Sequence, residues 1–183
     1  LRQQTAMWQA MLMSAGLKPS TQVFIHGFIT SDGKKMSKSL GNVVDPFELV
    51  KEFGTDAVRY YLLREIPSHD DGDFAMPRME ERYAELANQL GNLVSRVAAM
   101  SDKYFDGKLD KIEKNWGELK TQLEISMKDY DFKKYIDLVF EIVSESNELI
   151  EIKAPFKLVK EDEAAAKEVL SELAENIRFI GQS

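Results

Sequence analysis

Gly33-Lys34-Lys35-Met36-Ser37-Lys38-Ser39-Leu40-Gly41-Asn42 sets three lysines and two serines between two glycines. Ammonium groups suit a phosphate chain as mobile point charges, and serine hydroxyls and free backbone N–H groups donate to the same oxygens. Glycines at both ends let the backbone bend and move. A solvated basic turn has the same charge count, so the surroundings must decide. Immediately before the loop, residues 23–29 (Val-Phe-Ile-His-Gly-Phe-Ile) are short and rich in β-branched and aromatic side chains, as a buried strand would be. A ligand loop at the end of such a strand is the usual arrangement in α/β proteins.

Working outward, residues 6–15 repeat apolar side chains at helical spacing (Met7, Met11, Leu12, Ala15) and stop at Gly16, which suits the position just past a helix end. Beyond the loop, Asp45 is placed to cap a helix that Pro46 opens and Gly54 closes after Phe53. Thr55 or Asp56 can cap a further helix over residues 57–64, ended by Pro67. The acidic run Ser68-His69-Asp70-Asp71-Gly72-Asp73 reads as a linker. From Pro77 on, the pattern is helical: residues 79–100, a turn at Asp106-Gly107, then 116–127, 132–152 and 163–180. About four helices joined by short connections predict a bundle. That pattern alone names no function.

Composition narrows the classes. With 44% hydrophobic and 30% charged residues the 183-residue chain can build a core. No apolar run reaches membrane-spanning length, and no membrane partner is expected. Without cysteine, disulfides, thiolate zinc sites and cysteine nucleophiles are excluded within these residues, and a cytoplasmic setting is compatible. Two histidines, His26 and His69, give a histidine metal site or a Ser/His/Asp triad little to build on. The net charge of −7 divides unevenly: residues 1–75 hold 8 basic against 9 acidic side chains, and the remainder 16 against 22. An RNA reader on this frame needs local basic patches and stacking, because global attraction is absent.

The ordered string Lys35-Met36-Ser37-Lys38-Ser39, followed by Leu40-Gly41-Asn42, resembles the KMSKS signature of class I aminoacyl-tRNA synthetases at every position. Its flanks, Phe24-Ile25-His26-Gly27 and Val43-Val44-Asp45-Pro46, resemble the usual surroundings. In that family the loop closes over ATP, carried with Mg2+. The resemblance implies Lys38, helped by Lys35, as the catalytic cation on the α- and β-phosphates, with Met36, Ser37 and Ser39 completing the ATP loop. His26 joins them as a nucleotide-side candidate; the blander reading, a hydrogen bond within the core, suits a lone histidine better. Valine, isoleucine and leucine enzymes share the loop. Phe53-Gly54-Thr55-Asp56-Ala57-Val58-Arg59-Tyr60-Tyr61-Leu62-Leu63-Arg64-Glu65 and Asp70-Asp71-Gly72-Asp73-Phe74 look like the stem-contact region of bacterial methionyl-tRNA synthetases.

The helical half resembles the same family. Leu90-Gly91-Asn92-Leu93-Val94-Ser95-Arg96 is similar to its first anticodon-domain helix. The resemblance implies that Asn92 and Arg96, on one helix face, read the anticodon of tRNA(Met). In Lys153-Ala154-Pro155-Phe156-Lys157 the family's stacking tryptophan is replaced by Phe156, which can stack but has no N–H to donate. The N-terminal stretch containing Gln4 and Trp8 is similar to the helix beside the methionine pocket, with Gln4 where the family has histidine. The resemblance therefore implies a mainly α chain. Residues 1–75 would be the end of a Rossmann-type α/β nucleotide-binding fold, and 76–183 an anticodon-binding helical bundle, incomplete at its C-terminus. A methionine-tRNA ligase fragment of this kind, with no metal site of its own and without the His-x-Gly-His half of the fold, is expected to be inactive alone. The alternatives are a valine- or isoleucine-type synthetase fragment and a noncatalytic tRNA-binding helical protein.

Overall fold

The computed structural model describes residues 3–183. It is mainly α-helical, with a small mixed sheet near its N-terminal end. A π-helical turn Gln3–Met7 leads into α1 (Trp8–Ser14). The strands are β1 (Ile29–Ser31), β2 (Lys34–Lys35) and β3 (Gly72–Phe74), in the order β2-β1-β3. β1 pairs antiparallel with β2 (Thr30 opposite Lys35) and parallel with β3 (Thr30 opposite Asp73).

Two expectations are corrected here. Residues 23–28 form no strand, and Val23, Phe24, Ile25 and Phe28 are exposed. The β-branched and aromatic composition measures fit to a pleated, half-buried surface, and among the described residues no strand pairs alongside this stretch. The acidic run is not a linker: its last residues become β3, which finds β1 through Gly72 N–H donating to the Phe28 carbonyl at 2.8 Å. Phe28 N–H also donates to Asp71 Oδ1 at 2.7 Å. This crossing leaves room for no side chain at residue 27, where a Cβ would sit 2.1 Å from the Asp70 carbonyl oxygen.

The helices follow the sequence more closely. α2 (Pro46–Phe53) starts as expected, with Asp45 accepting from Phe47 N–H at 2.8 Å. α3 (Thr55–Glu65) begins earlier than expected: Gly54 holds the cap position and neither Thr55 nor Asp56 caps. α4 (Met76–Glu85), a π-helical turn at Leu86–Gly91 and α5 (Asn92–Phe105) run on from one another. Then come α6 (Gly117–Lys128), α7 (Phe132–Lys153), the short α8 (Pro155–Leu158) and α9 (Glu163–Gln182).

Two apolar clusters result. Leu49, Ala57, Val58, Tyr61, Phe74 and Met79 bind α2, α3, α4 and β3 together, with Met36 of the lysine loop and Val44 just beyond it packed against them. The larger cluster, including Leu93, Val97, Val143, Ile150, Leu170 and Leu173, joins α5, α7 and α9. Arg64 on α3 ion-pairs with Asp137 on α7 and lies 5.4 Å from the Phe140 ring, so the two clusters meet at α3 and α7. Outside both clusters, the α6–α7 turn also touches residues of the N-terminal part. There Tyr130, at φ 57°, places its ring 4.7 Å from Phe24, and His69 Nε2–H donates to the Asp129 carbonyl at 3.1 Å.

Candidate functional site

The lysine loop consists of a pinned hairpin and a self-tied turn. Asp32 and Gly33, at φ 51° and 70°, make the two-residue reversal between β1 and β2, the geometry that favours Asp-Gly in a tight hairpin. Asp73 holds this reversal from the neighbouring strand. Its Oδ1 accepts from Gly33 N–H at 2.7 Å and from Thr30 Oγ1–H at 2.6 Å, and its Oδ2 accepts from Arg78 at 3.1 Å. Those hydrogen bonds, Thr30 first and Gly33 next, hold the Asp73 carboxyl below its ordinary range.

The turn that follows closes on itself. Ser37 caps the short 3-10 helix Lys38–Leu40, its Oγ accepting from Leu40 N–H at 3.2 Å and standing 3.1 Å from Ser39 Oγ. Asn42 reaches back across it: Oδ1 accepts from Ser37 N–H at 3.0 Å and Nδ2 donates to the Lys35 carbonyl at 3.2 Å. Met36 is half-buried against the first apolar cluster. The lysines are not tied down. Lys34, Lys35 and Lys38 are exposed, and among the described residues none has an ion-pair partner. Three unpaired ammoniums on a fixed scaffold form a local positive site in an acidic chain, fit to meet a multiply charged anion. A cavity of about 270 Å³ opens beside Lys35 alone of the three, lined also by Phe28, Ile29, Thr30, Met36 and Asp71.

His26 is exposed rather than in the core, its Nδ1–H donating to the adjacent Gly27 carbonyl at 2.8 Å. The structure brings it together with Gln4: both line a cavity of about 200 Å³ with Thr5, Val23, Phe24 and Ile25. Trp8 is 47% exposed and does not line that cavity. Among the described residues no cluster of three or more His, Asp or Glu side chains is arranged to hold a metal ion.

On the helical half, Asn92 opens α5, exposed, and Arg96 lies one turn further on the same face. Arg96 Nη2 pairs with Glu151 Oε1 at 2.8 Å, in the last turn of α7. Ala154, at φ 41°, then turns the chain into α8, where Phe156 is 39% exposed with the Lys157 ammonium 5.8 Å from its ring. The Arg96–Glu151 bridge thus ties the polar face of α5 to the end of α7, just before the α8 segment that carries Phe156. Asn147 on α7 also donates to the Gln89 carbonyl at 3.3 Å, fixing the π-helical turn just before Asn92. Sequence reading missed Asp73, Thr30, Asn42 and Glu151 as supports. The Asp32-Gly33 pair carried a hairpin signal that would have drawn attention to what holds it.

The whole chain can be compared with known proteins. A family model described as tRNA synthetases class I (M) matches residues 1–98. The methionine--tRNA ligase of Caldanaerobacter subterraneus subsp. tengcongensis is 41% identical, the alignment covering 99% of this chain and 30% of that protein. That of Clostridium acetobutylicum is 42% identical, over 98% of this chain and 30% of that protein. Among solved structures, Mycobacterium tuberculosis methionyl-tRNA synthetase bound by methionyl-adenylate superposes with a TM-score of 0.87 at 31% identity, covering 98% of this chain and 38% of that one. Fold and sequence together define a class I tRNA synthetase region. The chain belongs to the methionyl family of that class. It spans 30% of the length of these two relatives.

Proposed function

We propose that this chain is the part of a methionine-activating tRNA ligase that handles the phosphates of ATP and reads the anticodon of tRNA(Met). Residues 1–75 would serve the first task and residues 76–183 the second. The observation that carries the reading is the trio of exposed, unpaired lysines on a turn whose backbone is fixed by Asp73 and Asn42. In the proposed step a methionine carboxylate oxygen attacks the α-phosphorus of ATP. The bond to the bridging oxygen breaks, and pyrophosphate leaves with that electron pair. Negative charge grows on the departing group, and a cation already in place stabilises it without reorganisation. Lys38 is assigned that role and Lys35 the supporting one, with Met36 seating the loop on the core and Ser37 and Ser39 shaping its turn. His26 is assigned to the nucleotide side and Gln4 to the amino-acid side of the cavity they share, and Trp8, which stands outside that cavity, is assigned to the methionine pocket on the family resemblance alone. Magnesium would arrive with the nucleotide, ligated by phosphate oxygens and water as that ion prefers.

The RNA-reading assignment rests on chemistry of the same simplicity. Asn92 and Arg96 offer donors to splayed base edges, and Phe156 offers a half-exposed ring for stacking. The decisive test is Lys38→Ala in the full-length protein, followed by methionine-dependent ATP–pyrophosphate exchange. A loss of roughly 10²–10³ in rate is expected for one such group. Near-normal exchange would remove the assignment.

A further inference from the structure

We infer that Asp73 is a positioning residue for the lysine loop, fixing the stationary end on which Lys34, Lys35 and Lys38 are carried. The inference rests on the phosphate-handling reading above and adds to it a residue outside the motif. β1 has three residues and β2 two, so the hairpin's own ladder is too short to define the direction of its tip. Asp73 supplies what the ladder lacks. One carboxylate oxygen takes the Gly33 amide at the tip and the Thr30 hydroxyl at the base, and the other takes Arg78. Arg78 also donates to the Asp73 carbonyl at 2.6 Å, so both the side chain and the backbone of Asp73 are held from α4.

The hairpin is therefore pinned to β3, whose Phe74 is buried in the first apolar cluster. The Lys38 turn, by contrast, is bonded to its own loop through Ser37 and Asn42. The pinned hairpin is thus the base that sets where the self-tied Lys38 turn stands. Without Asp73 the base itself would drift, and misplacement on the order of an ångström is enough to cost about a hundredfold in rate.

The test uses Asp73→Ala, Asp73→Asn and Thr30→Val in the full-length protein. Two readouts are followed: hydrogen exchange at the Gly33 amide, and the kinetics of pyrophosphate exchange. Asp73→Ala is expected to speed Gly33 exchange at least tenfold. It should also lower kcat and raise KM for ATP, by roughly ten- to a hundredfold combined, while KM for methionine stays within twofold. Asp73→Asn keeps an acceptor oxygen for Thr30 and Gly33 and should recover most of the loss. Thr30→Val, which leaves the charge untouched, should give a smaller shift in the same direction, and it carries the test if Asp73→Ala does not fold. Wild-type exchange at Gly33 in the Asp73 variants, with Lys38→Ala still inactive, overturns the positioning role and leaves the phosphate reading standing. Equal losses in KM for ATP and for methionine overturn it too, since they mark general damage. Full activity in Lys38→Ala overturns the phosphate reading, and the positioning role with it, whatever Gly33 does.

Discussion

At the scale of single residues, Gly27 shows how little latitude the site's surroundings have. A methyl group there would meet Asp70 O at 2.1 Å and Asp71 N at 2.5 Å, backbone atoms that cannot step aside without carrying β3 with them. Gly27→Ala is therefore expected to cost about 1–3 kcal/mol as an overpacked position, read as a lowered urea midpoint. Phe156 offers a different kind of test, because its ring is 39% exposed and contributes little to the core. Phe156→Ala should leave stability nearly unchanged and weaken binding of an RNA hairpin bearing the CAU anticodon by about 1–3 kcal/mol if the ring stacks on a base. An unchanged affinity would remove Phe156 from the reading face. Trp in its place should bind at least as well, since it adds an N–H donor to the same platform. The residues legible in the sequence were those whose chemistry sits in a contiguous string, Lys35 to Ser39. Asp73 and Glu151 were not legible as supports, because each acts on residues 40 or more positions away through contacts that only the fold creates.

At the scale of elements, the ends of α2 were legible, the start of α3 was not, and the strands were not. Asp45-Pro46 and Gly54 mark α2 through local capping chemistry, which a sequence carries in full. Strand identity depends on a partner, and the partner of β1 is β3, far along the chain and disguised as an acidic turn. The π-helical turn at Leu86–Gly91 was likewise hidden inside what reads as one helix over 79–100; such turns occur inside α-helices, and here Asn147 on α7 bonds the Gln89 carbonyl within it. The contact of α3 with α7 belongs to this scale. Arg64 is 14% exposed and pairs with Glu85 and Asp137, and Tyr60 and Arg82 also bond Glu85. Removing one partner of a buried pair costs more than the pair is worth. Because Asp137 is 40% exposed and Glu85 keeps Arg82 and Tyr60, Arg64→Ala should cost roughly 1–3 kcal/mol, below the range for a fully buried pair. A double-mutant cycle with Asp137→Ala should show coupling between α3 and α7, and strictly additive effects would mean the pair contributes nothing.

At the scale of the whole molecule, three carboxylates make stability depend on pH in one direction. Thr30 and Gly33 hold Asp73 low, as already described. The hydrogen bond from Arg178 holds Glu175 low against some burial, and Trp116 Nε1–H adds to it at 3.2 Å. Burial pushes Glu85 up, but hydrogen bonds from Arg82 and Tyr60 and the charge of Arg64 outweigh it and hold it low. Each group therefore binds its proton less readily folded than unfolded. Its contribution is present above the unfolded carboxylate range of about 4 and is lost as the pH falls through the lower folded value. Urea midpoints should accordingly be flat from about pH 7 to pH 5 and fall below about pH 4.5. Trp116, stacked on Phe179 with ring centroids 4.2 Å apart, gives a fluorescence signal from within the bundle for following this. Glu175→Gln should shift the fall to lower pH and reduce its depth, because one of the three proton-linked groups is gone. An identical pH profile in that variant would mean that the Arg178 bridge is equally populated in the unfolded chain, and the linkage would then reside in Asp73 and Glu85 alone.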